Sequence, residues 1–137
     1  MKIADPWKQI ITEQFLKTTI RTPSRFSLPP SSQRFLLEQM CRAFPLNKSI
    51  QIRPLRLAGL RAEELKPETE ATQLILHIHG GAFFLGSMNT HRAFVSDLAA
   101  STQMQVIHLD YPLSPEHPYP EAIDALFDVY LLLLEQG

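Results

Sequence analysis

Leu74-Ile75-Leu76-His77-Ile78-His79-Gly80-Gly81-Ala82-Phe83-Phe84-Leu85-Gly86-Ser87 decides the fold. It reads as an apolar strand over 74–78 that runs into a glycine turn and hands the chain to a helix. Apart from His77 the strand is apolar on both faces, the pattern of a strand covered on each side by helices. A glycine turn between strand and helix aims backbone N–H groups at something anionic, so the stretch has the makings of an oxyanion site.

Upstream, Ile50, Ile52, Leu55 and Leu57 alternate roughly with polar residues. Pro54 lies inside that run without a donor, which favours a strand at a sheet edge. Gly59 supplies a turn, 60–65 returns as a second, weaker strand, and 66–72 reads as a surface loop. Earlier still, Ser31 or Ser32 can cap a helix whose buried stripe is Leu36, Leu37, Met40 and Phe44, ending before Pro45. Trp7, Ile10, Ile11, Phe15 and Ile20 predict a first amphipathic helix over 7–20, stopped by Pro23 and by Pro29-Pro30.

Downstream, Asn89 or Thr90 can cap a helix to about residue 100, with Phe94, Val95 and Leu98 inward. Residues 104–109 form a second buried strand, and Pro120 occupies the first position of a last helix, where its missing N–H costs nothing. Ile123, Leu126, Phe127, Tyr130, Leu131 and Leu134 are that helix's apolar side, and Gly137 is its C-cap. Strand, helix, strand, helix from residue 74 implies parallel pairing.

The chain has 137 residues, 45% hydrophobic and 20% charged, with a formal net charge of -1. That balance gives no reason to expect nucleic acid or an acidic membrane surface. Cys41 is the only cysteine, so no internal disulfide forms and a reducing, cytoplasmic setting is expected. No signal-peptide core stands at the start, and the apolar run over 129–134 is far short of the ~20 residues that span a bilayer.

A second motif makes the glycine turn more than a turn: Asp110-Tyr111-Pro112-Leu113-Ser114-Pro115-Glu116-His117-Pro118-Tyr119-Pro120 follows the next strand. The pair, HGGAFFLGS with DYPLSPEHPYP, resembles the α/β-hydrolase family and within it the hormone-sensitive-lipase-like esterases and lipases. The resemblance implies an α/β fold, here the N-terminal portion of an α/β-hydrolase with an incomplete sheet: edge strands, then βαβα. Residues 1–47 would be cap-like helices and 48–137 the first part of the hydrolase domain.

It further implies a serine carboxylic-ester hydrolase with no cofactor and a small-molecule ester as substrate. The oxyanion donors fall on the N–H groups of Gly81 and Ala82, with His79 and Gly80 holding the loop's shape. Ala82 stands where many members have glycine, and keeps its N–H provided its φ is allowed. Phe83 and Phe84 are either apolar wall of the ester site or core. Pro112 and Ser114 replace the family's usual arginine and alanine, and His117 belongs to the loop's structure instead of a catalytic triad.

Other readings are weaker. His77 and His79 share a strand face at a zinc-binding spacing, but no third ligand is evident. Gly81 to Ser87 lacks the lysine of a phosphate loop. His91 and His108 carry no motif, the former on a helix face and the latter in core or on the surface, and Cys41 packs on a helix.

An esterase of this kind needs a serine on a G-x-S-x-G elbow, then an acid, then a histidine. No G-x-S-x-G occurs in the sequence. The chain therefore reads as a fragment that supplies the oxyanion loop without the triad, and alone it should be inactive. Strand 74–78 would lie between 104–109 and a strand beyond Gly137, and the bare edge should promote self-association or pairing with the missing part. The alternative is a non-catalytic, truncated hydrolase-like module that binds a protein partner.

Overall fold

The computed structural model describes residues 28–136. The helix expected over 7–20 and the cap at Gly137 lie outside them. Three helices and four strands follow in the order α1 (Pro30–Cys41), β1 (Ile50–Leu57), β2 (Leu60–Pro67), β3 (Leu74–Ile78), α2 (Met88–Thr102), β4 (Gln105–Asp110) and α3 (Glu121–Glu135). The strands make one sheet in the order β1-β2-β4-β3. β1 and β2 form an antiparallel hairpin, β2 is antiparallel to β4, and β3 is parallel to β4. α2 is thus the crossover of a βαβ unit, and α3 follows β4, as the alternation from residue 74 predicts.

Period-two alternation divides the core between two faces. Val106 of β4 packs with Leu65, Val95 and Ala99 on the face that α2 covers. Ile107 and Leu109 pack with Ala62, Ala122, Leu126 and Val129 on the face that α3 covers. β4, buried on both sides, is the central strand, and its near-continuous apolar run reflects that. Pro54 sits in the outermost strand, opposite Glu63, where a missing N–H is tolerated.

Several local expectations need correction. β2 is neither weak nor short: it runs to Pro67 and pairs on both sides, with Ala62 and Leu65 buried. Its charges disguised it, because they are matched within the fold. Glu63 pairs with Arg92 of α2, and Glu64 takes Arg53 at 2.9 Å and Gln105 at 2.7 Å. α1 begins at Pro30 with Pro29 as N-cap and no side-chain cap, and it buries none of its residues. α2 is capped by Ser87, whose side chain accepts from the Thr90 N–H while Thr90 reaches back to the Ser87 N–H, a reciprocal capping box.

Phe94 points outward, 59% exposed, whereas Val95, Ser96 and Ala99 are buried and bring α2 close to the sheet. Pro120 is the N-cap of α3, one position earlier than expected. That helix buries Ala122, Leu126 and Val129, leaving Ile123, Phe127, Tyr130, Leu131 and Leu134 exposed. Only Leu126 of the expected stripe is in the core.

Candidate functional site

The loop after β3 is wound tightly by bonds within its own backbone. The N–H groups of Phe84 and Leu85 both donate to the Gly81 carbonyl, at 3.1 and 2.8 Å. Gly81 has φ +132°, and a Cβ there would meet the Leu85 carbonyl oxygen at 2.0 Å, so no side chain fits. Gly86, at φ +86°, lets the chain close against His79: a Cβ would lie 2.4 Å from the Gly80 oxygen and 2.7 Å from the His79 ring. Ala82 and Phe83 follow with φ +52° and +60°, left-handed backbone that costs an L-residue about 1 kcal/mol or more. Among the described residues, the N–H groups of Gly81 and Ala82 donate to no protein acceptor.

His79 is buried under this turn. Its ring stacks on Tyr111 with centroids 4.3 Å apart, and its Nδ1 lies 3.0 Å from the Gly80 oxygen, to which it donates when protonated there. The Tyr111 hydroxyl donates to the His79 carbonyl at 2.7 Å, so the second motif pins the first. The Ser114 N–H adds a bond to the Phe83 carbonyl at 2.8 Å. Asp110 accepts from the Met88 N–H at 3.4 Å, at the N-terminus of α2. Phe83 is 46% exposed and meets Tyr111 edge-on at 6.0 Å, and Phe84 is half-buried, so neither belongs to the core.

Four histidines gather beneath α2. His77, His108 and Glu63 stand in one row across the sheet, and His79 and His91 complete the group. Ring centroids are 4.8 Å apart for His77 and His108, and 5.5 Å for His79 and His91. Burial holds all four imidazoles below the usual histidine range; neighbouring imidazoles add to this for His77, at about 4, for His91, and for His108, at about 3, whereas the Gly80 carbonyl and Asp110 partly oppose it for His79. They are neutral at pH 7. Among the described residues no group of three His, Cys, Asp or Glu side chains is placed to hold a metal ion, so the zinc spacing of His77 and His79 gains no third ligand.

The remaining candidates fall in structural places. Ser87 is the helix cap, the Ser114 hydroxyl donates to the His117 carbonyl at 3.3 Å, and His117 pairs with Glu121 at 2.7 Å on the surface. Cys41 is free and half-buried. Two surface hollows, of about 370 and 900 Å³, do not reach Gly81 or Ala82, and Asp110, Tyr111 and His117 line the larger. Sequence reasoning missed Arg34 and Glu38 of α1, which contact the second half of the glycine loop at Phe84 and Ser87. Their i, i+4 spacing was the only available signal, and on a helix it reads equally as a solvated face.

Comparison with known proteins bears on the fold that carries this loop. Residues 75–137 match a family model described as the alpha/beta hydrolase fold. An esterase of Acinetobacter venetianus is 66% identical over all 137 residues, which span 45% of its length. An acetyl-hydrolase of Streptomyces hygroscopicus is 37% identical over 76 residues, 56% of this chain and 25% of that protein. The crystal structure of an esterase from the bacterial hormone-sensitive lipase family superposes with TM-score 0.76 at 33% identity, over 90% of this chain and 42% of that one. An esterase/lipase from an uncultured bacterium gives 0.74 at 36% identity, over 80% and 37%. The chain carries the N-terminal portion of the α/β-hydrolase fold. Within the family its likeness is to the hormone-sensitive-lipase-like esterases, the group that HGGAFFLGS and DYPLSPEHPYP resemble.

Proposed function

We propose that the full polypeptide to which these residues belong is a cytoplasmic serine carboxylic-ester hydrolase acting on small esters, with its oxyanion hole in the N–H groups of Gly81 and Ala82. One observation carries the assignment: in a loop whose carbonyls are engaged at Gly81, Phe83 and Phe84, these two adjacent N–H groups have no acceptor among the described residues. Donors held in place before the reaction stabilise a developing oxyanion without reorganising, and losing one typically costs ~10²–10³ in turnover. His79 and Gly80 shape the loop from beneath, and Phe83 offers an apolar wall beside it.

The nucleophile is a serine on a G-x-S-x-G elbow contributed by polypeptide beyond these 137 residues, together with its acid and histidine. Its Oγ attacks the ester carbonyl while the histidine takes the proton, and the carbonyl oxygen, now negative, settles against Gly81 and Ala82. These 137 residues by themselves are inactive on this reading. The test pairs turnover of p-nitrophenyl acetate by the full-length protein with fluorophosphonate labelling read by peptide mass spectrometry. Hydrolysis with one labelled serine in a G-x-S-x-G context is the expected result. Absence of both turnover and label rejects the assignment.

A further inference from the structure

Helix α1 has no fully buried residue, and apolar side chains such as Leu37 and Met40 are half-buried. Its polar contacts converge on the glycine loop. Arg34 donates from Nε to the Phe84 carbonyl at 2.7 Å, from Nη2 to the Ser114 carbonyl, and from Nη1 to Glu116 at 2.9 Å. One turn later, Glu38 accepts from the Ser87 hydroxyl at 2.7 Å and from the Asn89 side chain at 3.4 Å. Four residues apart on a helix, the two side chains share a face. They grip the loop at both ends of its second half, Phe84 and Ser87, and Arg34 also ties it to the segment that carries Pro112 and Ser114 in place of an arginine and an alanine.

We propose that Arg34 is a positioning residue for the oxyanion loop, with Glu38 as its counterpart at the far end. The proposal rests on the oxyanion reading of Gly81 and Ala82. The Gly81 carbonyl is bonded to Phe84 and Leu85, so the Phe84 carbonyl that Arg34 holds belongs to the same turn as the two donors. Left-handed backbone at Ala82 and Phe83 makes that turn an unfavourable conformation for the free chain, one that outside contacts must maintain. A planar guanidinium with its donors in a fixed fork bonds three acceptors at once, which the ammonium of lysine cannot do in the same geometry.

The experiment uses the full-length protein carrying Arg34→Ala, Arg34→Lys or Glu38→Gln, each first shown to be folded by circular dichroism. Two readouts follow: steady-state hydrolysis of p-nitrophenyl acetate, and hydrogen exchange of peptides spanning 79–87. For Arg34→Ala we expect loop amides to exchange at least about tenfold faster, as a local opening frees them. We also expect kcat to fall about tenfold to a hundredfold with KM nearly constant, because a misplaced donor acts in the transition state. Added guanidinium ion should restore part of kcat in Arg34→Ala, and Arg34→Lys should stay impaired. Unchanged exchange over 79–87 in Arg34→Ala overturns the proposal, as does a kcat within about twofold of the unmodified enzyme in a folded variant. If the unmodified protein hydrolyses no ester, the functional reading fails, while the exchange measurement still decides whether Arg34 holds the loop.

Discussion

Ala82 carries a contradiction that glycine would not. Its φ of +52° suits a residue without Cβ, yet its N–H is proposed as a donor. Ala82→Gly keeps the donor and removes the steric penalty, partly offset by the entropy glycine loses on folding. It should therefore stabilise the protein by roughly 0.5–1 kcal/mol in urea unfolding, and a loss of stability would mean the Cβ packs usefully. His108 makes the opposite demand. It is wholly buried, neither ring nitrogen has a hydrogen-bond partner among the described residues, and its pKa lies at about 3. Because the folded value is depressed, the unfolded chain takes up protons first as pH falls. Stability is full above the ordinary histidine value and drains away from about pH 6.5 down towards pH 3. By about pH 5 the loss from His108 alone is of the order of 2 kcal/mol, and His77 adds to it in the same direction. His108→Leu should flatten that slope in urea titrations at pH 7.5 and 5, whereas an unchanged slope would place the acid sensitivity elsewhere.

At the scale of elements, Ser87 joins cap and contact, since its side chain serves both the α2 N-terminus and Glu38. Ser87→Ala should lower stability by about 1 kcal/mol, and no change would show the capping box to be redundant with solvent. The elements that set the fold were legible where residue chemistry and burial coincide. β3 and β4 are apolar runs, Gly81 and Gly86 between β3 and α2 mark a backbone no side chain can share, and Pro54 announced an edge. β2 was underread because Glu63 and Glu64 look like solvent-facing charge until Arg92, Arg53 and Gln105 arrive from distant elements. The cap of α2 was placed two or three residues late because Asn89 and Thr90 offer the same chemistry as Ser87. α1 misled in another way, since the expected stripe is at most half-buried whereas Arg34 and Glu38 reach the glycine loop. The glycine loop was legible as a loop, but the free N–H groups depend on φ angles that no residue type specifies, and the grip of Arg34 spans fifty residues of chain.

Taken whole, the described residues leave apolar surface uncovered, much of it on β3 and α3. Leu74 and Ile78 of β3 are 45% and 46% exposed, and α3 turns Ile123, Phe127, Tyr130, Leu131 and Leu134 outward. β3 pairs only with β4, so among the described residues its other edge offers bare N–H and C=O groups. The chain spans less than half the length of the Acinetobacter venetianus esterase. A polypeptide of these 137 residues alone should accordingly self-associate, visible as a mass above the monomer by light scattering, and a monodisperse monomer at high concentration would refute that. No helix among the described residues is long and apolar enough to cross a membrane. The most direct test of the functional proposal removes a single hydrogen. Proline at Gly81 is unsuitable, because φ +132° lies far from the proline range. Glycolic acid incorporated at position 81 of the full-length protein replaces the N–H by oxygen and leaves the backbone its conformational freedom. We predict that kcat/KM for p-nitrophenyl acetate falls by ~10²–10³ in a protein that still folds. A folded variant whose kcat/KM stays within about threefold of the unmodified enzyme would contradict the oxyanion assignment of Gly81.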